Sequence, residues 1–215
     1  MVNRVLIVVS VEAEKEAVLR GIGKDNEMFN VVVAGVGVAA AATTTAITLT
    51  NQPYQLVINA GIAGGFVGRA DVGSLVVANE IICADLGTET DEGFLPLDQL
   101  GLGATGVKVD EAAKETIIAA FKQANRKVAA GQILTLSKVT GTQETNDQLI
   151  KRYPDAVAEG MEGFGVATAA LKCGIPVLEI RSISNAIGPR DRESWKIKEA
   201  LIELEEASKI ISEVL

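Results

Sequence analysis

The stretch QLVINAGIAGGF, from Gln55 to Phe66, joins a run of apolar residues to a segment rich in glycine. Its first part, Gln55–Asn59, predicts a strand, and an uninterrupted apolar run is typical of strands that are buried on both faces of a sheet. The small residues of Gly61–Gly65 let the main chain approach a ligand and present its N–H groups, although a plain turn has the same composition. The stretch therefore predicts a buried strand that ends in a candidate binding loop.

Other short apolar runs alternate with helical patterns along the rest of the chain. The further predicted strands are Arg4–Val9, Asn30–Ala34, Ser74–Val77, Val128–Leu136 and Pro176–Ile183. The predicted helices are Glu12–Gly21, Val38–Thr50, Asp110–Gln123, Gln143–Arg152, Met161–Cys173 and Glu193–Val214. Because doubly buried strands need helices on both faces, the pattern predicts an α/β fold with three layers, α/β/α. Ala84–Gly106 breaks the alternation, and we expect a long loop there that binds something or covers a site.

Size and charge narrow the class of protein. The chain has 215 residues, of which 48% are apolar, and its formal net charge is −8. The length and the absence of linker-like segments predict one domain over residues 1–215. The negative charge argues against nucleic acid as a partner. No apolar run is long enough for a membrane helix and no signal peptide is apparent, so we expect a cytoplasmic protein without a membrane partner.

The residue types also limit the chemistry. The chain has no histidine, which leaves acid–base catalysis to carboxylates, Lys or Tyr. Its two cysteines have no metal-binding or redox spacing. The segment AGVGVA, from Ala34 to Ala39, lacks the full dinucleotide-binding pattern and the acid that should follow it, so a tight turn between strand and helix explains it better. We therefore expect neither a metal nor a cofactor.

Acidic and polar residues follow several predicted strands. EGMEGFGVA, Glu159–Ala167, places acids at the end of a strand and just before a helix, whose N-terminal amides can hold a carboxylate. EIRSISNAIG, Glu179–Gly188, ends a strand with Arg181 and Asn185, and Glu14 lies early in the first helix. Each feature taken alone also fits a structural role. Because open α/β sheets bind ligands at the carboxyl ends of their strands, we expect these groups to meet at one edge.

Taken together, four motifs resemble the signature set of the nucleoside phosphorylase and nucleosidase superfamily. They are VEAE at Val11–Glu14, NAGIAGG at Asn59–Gly65, EGMEG at Glu159–Gly163 and RSISN at Arg181–Asn185. The resemblance spans nearly the whole chain. It implies a mixed, twisted central sheet, cleavage of the N-glycosidic bond of a small purine nucleoside, and a homodimer or a larger homo-oligomer.

The resemblance also implies roles for the acids and their neighbours. Glu14 matches the acid that orients and deprotonates the attacking water. Met161 and Glu162 match the pair that packs on the ribose and binds its 2′- and 3′-hydroxyls. Arg181 matches an arginine beside the water and Glu162. These residues, with Asn185, form the predicted catalytic and sugar-binding set.

The purine end of the predicted site departs from one branch of the superfamily. Val139 and Thr140 match the segment that lines the purine, partly through main-chain groups. Asn185 stands where the adenosine-cleaving nucleosidases carry an aspartate that serves N7. An amide donates or accepts hydrogen bonds but delivers no proton, so this departure favours a 6-oxopurine and leaves open which group protonates the leaving base.

Several longer segments resemble one hydrolytic branch more specifically, among them ADLGTETDEGF at Ala84–Phe94 and SISNAIGPRDRESW at Ser182–Trp195. That branch releases hypoxanthine during menaquinone biosynthesis from a nucleoside with a bulky aromatic carboxylate on its ribose 5′ carbon. We expect Phe94 to lie over this substituent, if necessary from a partner subunit. We expect Arg190, Arg192 or Arg69 to supply the cation for its carboxylate.

Three alternatives remain open on the sequence. The first is a nucleosidase for methylthioadenosine or adenosylhomocysteine, against which Asn185 argues. The second is a purine nucleoside phosphorylase, but the predicted loop offers Ile62, Ala63 and Gly64 where a phosphate-binding arginine would be needed, so water is the favoured nucleophile. The third is an inactive nucleoside-binding protein, which the joint presence of Glu14 and the other predicted catalytic residues disfavours.

Overall fold

The computed structural model describes residues 4–215, which form ten strands and six α-helices. The strands are β1 (Val5–Val9), β2 (Phe29–Val33), β3 (Leu56–Gly65), β4 (Leu75–Cys83), β5 (Gly87–Thr90), β6 (Gly93–Pro96), β7 (Gly106–Lys108), β8 (Val128–Thr135), β9 (Ala156–Gly160) and β10 (Val177–Ala186). The helices are α1 (Glu12–Ile22), α2 (Val38–Asn51), α3 (Glu111–Gln123), α4 (Gln143–Arg152), α5 (Gly163–Lys172) and α6 (Ile197–Val214). None of these helices is long and apolar enough to cross a membrane.

The central sheet has eight strands, and five of them close into a ring. β3 pairs with both β9 and β10, while β10 pairs with β4, β4 with β8, and β8 with β9. β1 and β2 extend the sheet in parallel from β3, and β7 adds to β4. Parallel and antiparallel pairs are both present, so the predicted mixed central sheet is confirmed.

Five of the six helices form two packed groups. α1 packs on α6, which also contacts α3, and α2 packs on α5. The strand β1 has the sequence VLIVV, and no residue in Val5–Val9 is more than 1% exposed. This burial on both faces is what the uninterrupted apolar run predicts, because polar positions would appear on any face in contact with water. The predicted α/β fold is confirmed.

The glycine-rich segment Gly61–Gly65 is part of a strand, so the prediction of a loop there is wrong. β3 continues to Gly65 because its second half pairs with β10 on one side and with β9 on the other. Side chains would obstruct these contacts: a Cβ atom placed at Gly65 would lie 2.2 Å from the carbonyl oxygen of Ala70. The small residues therefore serve close packing within the ring as well as access to the site.

The predicted long loop, Ala84–Gly106, also contains regular structure. β5 and β6 form a hairpin, joined by a turn at Asp91 and Glu92, and a short 3₁₀ helix follows over Leu97–Leu100. Gly93 has a φ of 110°, a conformation that residues with a side chain rarely adopt. Two helices begin later in the sequence than predicted. Glu162 is the N-cap of α5, and a 3₁₀ turn, Arg192–Ser194, precedes α6.

Candidate active site

A cavity of about 600 Å³ opens at the carboxyl ends of β1, β3, β8, β9 and β10. This edge is where open α/β sheets bind their ligands, because the loops and helix N-termini that follow the strands converge there. The cavity brings together most of the predicted site residues, from segments far apart in the sequence. Those that line it are Glu14, Ile62, Ala63, Gly64, Val139, Thr140, Met161, Glu162 and Asn185.

Glu14 lies in the first turn of α1 and is held by three main-chain donors. Its Oε2 accepts hydrogen bonds from the N–H groups of Ser10, at 2.8 Å, and of Val11, at 3.3 Å. Its Oε1 accepts one from the N–H of Ile62, at 2.9 Å. The side chain is only 3% exposed although it lines the cavity. Three N–H donors keep this buried carboxylate in one orientation and compensate its loss of hydration.

Glu162 reaches the same cavity from the start of α5. Its Oε1 accepts a hydrogen bond from the N–H of Gly37 at 3.1 Å, and its Oε2 accepts one from the N–H of Met161 at 3.3 Å. Gly37 belongs to the predicted tight turn between β2 and α2, where Gly35 and Gly37 both have positive φ. As the N-cap residue, Glu162 also benefits from the positive end of the helix dipole.

Arg181 lies behind the two carboxylates and is 1% exposed. Its Nη2 lies 2.8 Å from Oε1 of Glu179 and 3.6 Å from Oε2 of Glu162. Burial by itself lowers the pKa of Arg181, but Glu179, Glu162 and Glu14 together raise it above its ordinary value, so the guanidinium is charged. Glu179 is fully buried, and burial raises the pKa of its carboxyl group while Arg181 opposes that rise.

Glu14 and Arg181 converge above Gly61. A Cβ atom at this position would lie 2.5 Å from Oε1 of Glu14 and 2.7 Å from Nη1 of Arg181. Glycine at position 61 therefore allows a carboxylate and a guanidinium to approach each other over the main chain of β3. Such an arrangement can orient a small polar molecule such as water, because it offers an acceptor and a donor side by side.

Asn185 marks another part of the cavity, near the end of β10. Its Oδ1 accepts a hydrogen bond from the hydroxyl of Ser184 at 2.8 Å, and its Nδ2 donates one to the carbonyl of Ala186 at 3.1 Å. The hydroxyl of Ser184 also contacts the carbonyl oxygen of Ala63 at 3.2 Å. These contacts orient the amide, which retains the capacity for one more donated and one more accepted hydrogen bond.

Glu159 also lines the cavity, and the sequence assigned it no role. Its Oε1 accepts a hydrogen bond from the N–H of Thr140 at 2.8 Å, and its Oε2 accepts one from the hydroxyl of Thr140 at 2.6 Å. Burial raises the pKa of this carboxyl group, and the two hydrogen bonds from Thr140 oppose the rise. The signal was present in the motif EGMEG, whose first acid is separated from the second by only two residues.

The mouth of the cavity carries basic and aromatic side chains. Arg190, Arg192 and Trp195 line it, and the guanidinium carbons of the two arginines lie 5.7 Å and 6.0 Å from the centre of the Trp195 ring. Both arginines are exposed. An indole flanked by two guanidinium groups can bind a flat anionic group, by stacking and by charge. The sequence had pointed to the arginines and missed Trp195.

Two residues of the predicted site lie elsewhere. The guanidinium of Arg152 packs on the ring of Phe94, with 4.2 Å between the guanidinium carbon and the centre of the ring. Phe94 lines a different cavity, together with Glu89 and Glu92. Within its own chain, Phe94 therefore does not line the cavity that contains Glu14 and Glu162. Arg69 donates to the carbonyl of Ala156 at 2.7 Å and lines a separate polar groove, so it cannot supply the cation at the mouth.

Comparisons with known proteins identify the family to which the chain belongs. Residues 11–215 match the family model described as the phosphorylase superfamily. The futalosine hydrolase of Streptomyces coelicolor is 47% identical over 87% of this chain and 80% of its own length. The 5′-methylthioadenosine/S-adenosylhomocysteine nucleosidase of a Marinomonas species is 31% identical over 81% of this chain and 74% of its own.

Among solved structures, the futalosine hydrolase of Helicobacter pylori matches with a TM-score of 0.88. The match covers 100% of this chain and 99% of that one at 19% identity, so it is evidence of a shared fold. The sequence relative from Streptomyces is much more similar than the methylthioadenosine nucleosidase, and futalosine hydrolase is the hydrolytic branch that the longer segments resemble. The chain belongs to the phosphorylase superfamily and, within it, to the futalosine hydrolase family.

Proposed function

We propose that this protein hydrolyses the N-glycosidic bond of futalosine, releasing hypoxanthine and dehypoxanthine futalosine for menaquinone biosynthesis. The observation that carries the proposal is the convergence of Glu14 and Arg181 above Gly61, beside a cavity that Glu14 lines together with Glu162 and Asn185. The similarity to the Streptomyces enzyme over most of the chain supports the same activity. The residues involved range from the first strand to the segment before the last helix, so we take residues 1–215 to work as one domain.

In the proposed mechanism the bond between purine and ribose loosens first, and positive charge develops on the sugar. Glu14, held by the N–H groups of Ser10, Val11 and Ile62, then removes a proton from the water that attacks the anomeric carbon. Glu162 binds the sugar hydroxyls and, with Glu14, opposes the developing positive charge. Preorganised charges of this kind contribute strongly to catalysis because they need no rearrangement during the reaction.

Asn185 stabilises the leaving purine, which departs with the electron pair of the broken bond; Glu14 gives up the proton taken from water to solvent, and the base takes up a proton from solvent. The amide of Asn185, oriented by the hydroxyl of Ser184, donates and accepts hydrogen bonds along the N7 and O6 edge of a 6-oxopurine. An aspartic acid at this position would instead supply a proton to N7. The amide therefore supports release of hypoxanthine rather than adenine, and it argues against methylthioadenosine as the preferred substrate.

Water is the nucleophile that the site favours over phosphate. The N–H of Ile62, which a phosphate-binding loop would direct towards the anion, donates to Glu14. Gly61–Gly65 is a strand without basic residues, and Arg181 is paired with Glu179. A phosphate ion near Glu14 and Glu162 would be repelled by both carboxylates, whereas a water molecule would be bound by them.

The 5′ substituent of futalosine fits the mouth of the cavity. Trp195 offers a flat surface for its aromatic ring, and Arg190 and Arg192 offer cations for its carboxylate. We further propose a homodimer or larger homo-oligomer in which the hairpin of β5 and β6 extends towards the mouth of a neighbouring subunit. This arrangement gives Phe94 a place beside the 5′ substituent, which it does not have within its own chain.

One assay tests the proposal against its rivals. Free purine is measured after incubation with futalosine, inosine and methylthioadenosine, each with and without inorganic phosphate. We expect hypoxanthine from futalosine at the same rate in both conditions, and slower release from the other nucleosides. Dependence on phosphate would indicate a phosphorylase, and faster cleavage of methylthioadenosine would indicate an adenosine-type nucleosidase. Either result would contradict the proposed function.

A further inference from the structure

Glu159 is a buried carboxylate that borders the cavity and forms no ion pair among residues 4–215. It is 5% exposed, and none of the salt bridges among the described residues involves its carboxylate. Its described hydrogen-bond partners are the N–H and the hydroxyl of Thr140, one on each carboxylate oxygen. A carboxylate can accept about four hydrogen bonds, so unused acceptor capacity remains on Glu159. Because an uncompensated buried charge is costly, a donor from a bound ligand would be strongly attracted to it.

Glu159 and Asn185 flank the same glycine. Gly64 of β3 is paired with Glu159 of β9 on one side and with Asn185 of β10 on the other. Neighbouring strands lie about 4.8 Å apart, so the two residues stand roughly 10 Å apart across a position that has no side chain. A Cβ atom at Gly64 would lie 2.9 Å from Cγ1 of Ile187, 3.3 Å from Nδ2 of Asn185 and 3.6 Å from Cγ of Glu159. Both polar side chains therefore lie next to Gly64, with Ile187 beside them, and both line the cavity.

The chemistry of these two side chains suits a flat base with polar groups on two edges. If Asn185 binds N7 and O6, as in the proposed function, the neighbouring position on the base is N1. In hypoxanthine N1 carries a hydrogen and donates, whereas in adenine it is an acceptor. A carboxylate at this edge attracts the first base and repels the second, and a site that is built to accept a donor discriminates strongly against an analogue without it.

We propose that Glu159 is the residue that selects the 6-oxopurine, by accepting a hydrogen bond from N1–H of the base. The inference rests on the proposed function, because it takes Asn185 to bind the N7 and O6 edge. The proposal also assigns a role to Thr140, which positions the carboxylate of Glu159. The N–H of Thr140 donates to Glu159, which fixes the carboxylate and leaves that N–H unable to serve N1 of adenine.

A purely structural role for Glu159 would be to anchor the segment of Thr140, and the test must separate the two. In a Glu159→Gln variant, the side-chain oxygen still accepts from the N–H of Thr140, and the amide nitrogen can donate to its hydroxyl. The anchor is then preserved. The second hydrogen of the amide, however, now faces the base and suits the acceptor N1 of adenine. The base preference therefore changes only if Glu159 contacts the base.

The experiment measures the dissociation constants of hypoxanthine and adenine by titration calorimetry for the wild type, Glu159→Gln and a control, Glu144→Gln, on the exposed face of α4. We expect the wild type and the control to bind hypoxanthine about 10–100-fold more tightly than adenine, the range for a hydrogen bond to a charged group. In Glu159→Gln this ratio should fall at least about tenfold. An unchanged ratio in a folded variant, or no preference in the wild type, overturns the inference.

A measurement on the unmodified protein provides a second test that does not depend on the folding of a variant. 1-Methylhypoxanthine lacks the N1 hydrogen, and we expect the wild type to bind it at least about tenfold more weakly than hypoxanthine. Equal binding of the two bases overturns the inference. Binding of a free base needs no hydrolysis, so these measurements test Glu159 separately from the proposed function. The proposed function fails if no hypoxanthine is released from futalosine, whereas the role of Glu159 fails if the preference between bases does not depend on it.

Discussion

The main-chain N–H of Ile62 donates a hydrogen bond to Oε1 of Glu14 across 48 positions of sequence, at 2.9 Å. This contact joins the central strand β3 to the start of α1. It leaves the other oxygen of Glu14 bound to the N–H groups of Ser10 and Val11, so the carboxylate has a single orientation in the cavity. A base that is already positioned in this way loses little entropy when it accepts a proton.

Replacing the carboxylate of Glu14 by an amide of the same shape should lower the rate of hydrolysis and leave the binding of the purine unchanged. In Glu14→Gln we expect kcat for hypoxanthine release to fall about 10²–10⁴-fold, because the amide cannot accept the proton of the attacking water. The dissociation constant of hypoxanthine should stay within about threefold of the wild type, since this substitution leaves the purine contacts in place. Glu16→Gln, exposed on the same helix, is the matched control. Near-normal release of hypoxanthine by Glu14→Gln would contradict the assignment.

Gly61→Ala tests the convergence of Glu14 and Arg181. The added Cβ would lie 2.5 Å from the carboxylate and 2.7 Å from the guanidinium, so both side chains must move. We expect kcat to fall about 10²-fold, as for a small displacement of a catalytic group. Combined with Glu14→Gln, the substitution should have little additional effect, because both act on the same step. Fully additive losses in the double variant, measured by steady-state kinetics, would show that Gly61 acts elsewhere.

The arginines at the mouth should matter only for substrates with an anionic 5′ group. In the double variant Arg190→Ala and Arg192→Ala we expect KM for futalosine to rise about tenfold and KM for inosine to change less than about twofold. The wild-type KM for futalosine should also rise with salt, because exposed charges are screened. Lys24→Ala, on an exposed loop, is the control. Equal effects on futalosine and inosine would place the arginines outside the 5′ pocket.

Glu159 should make stability depend on pH. Burial raises the pKa of its carboxyl group in the folded chain, so between the unfolded and the folded pKa the folded state holds more protons. The free energy of unfolding then decreases as pH rises through this interval. We expect Glu159→Gln to raise the melting temperature relative to the wild type at about pH 8, and to lose this advantage at about pH 4. The measurement is a calorimetric scan of the wild type and the variant at both pH values, with Glu144→Gln as control. Equal differences in melting temperature between variant and wild type at the two pH values would contradict the prediction.

Much of the fold follows from local patterns. The run VLIVV predicts a doubly buried strand because no polar residue interrupts it, and the observed burial of Val5–Val9 agrees. The start of α4 was also predictable, since the side-chain oxygen of Thr142 caps it by accepting a hydrogen bond from the N–H of Thr145. The hairpin within Ala84–Gly106 was not predicted, because its short, exposed strands lack the apolar signal of a core strand.

The sequence by itself determined the α/β class, the chemical types available for catalysis and the set of motifs that Glu14, Glu162, Arg181 and Asn185 belong to. These depend on local composition, which the order of residues states directly. Only the tertiary structure decided that β3 continues through the glycines, that Phe94 lies away from its own cavity and that Glu159 faces Asn185 across Gly64. Such relationships depend on which strands pair and in what register, and that pairing is set by packing over the whole chain.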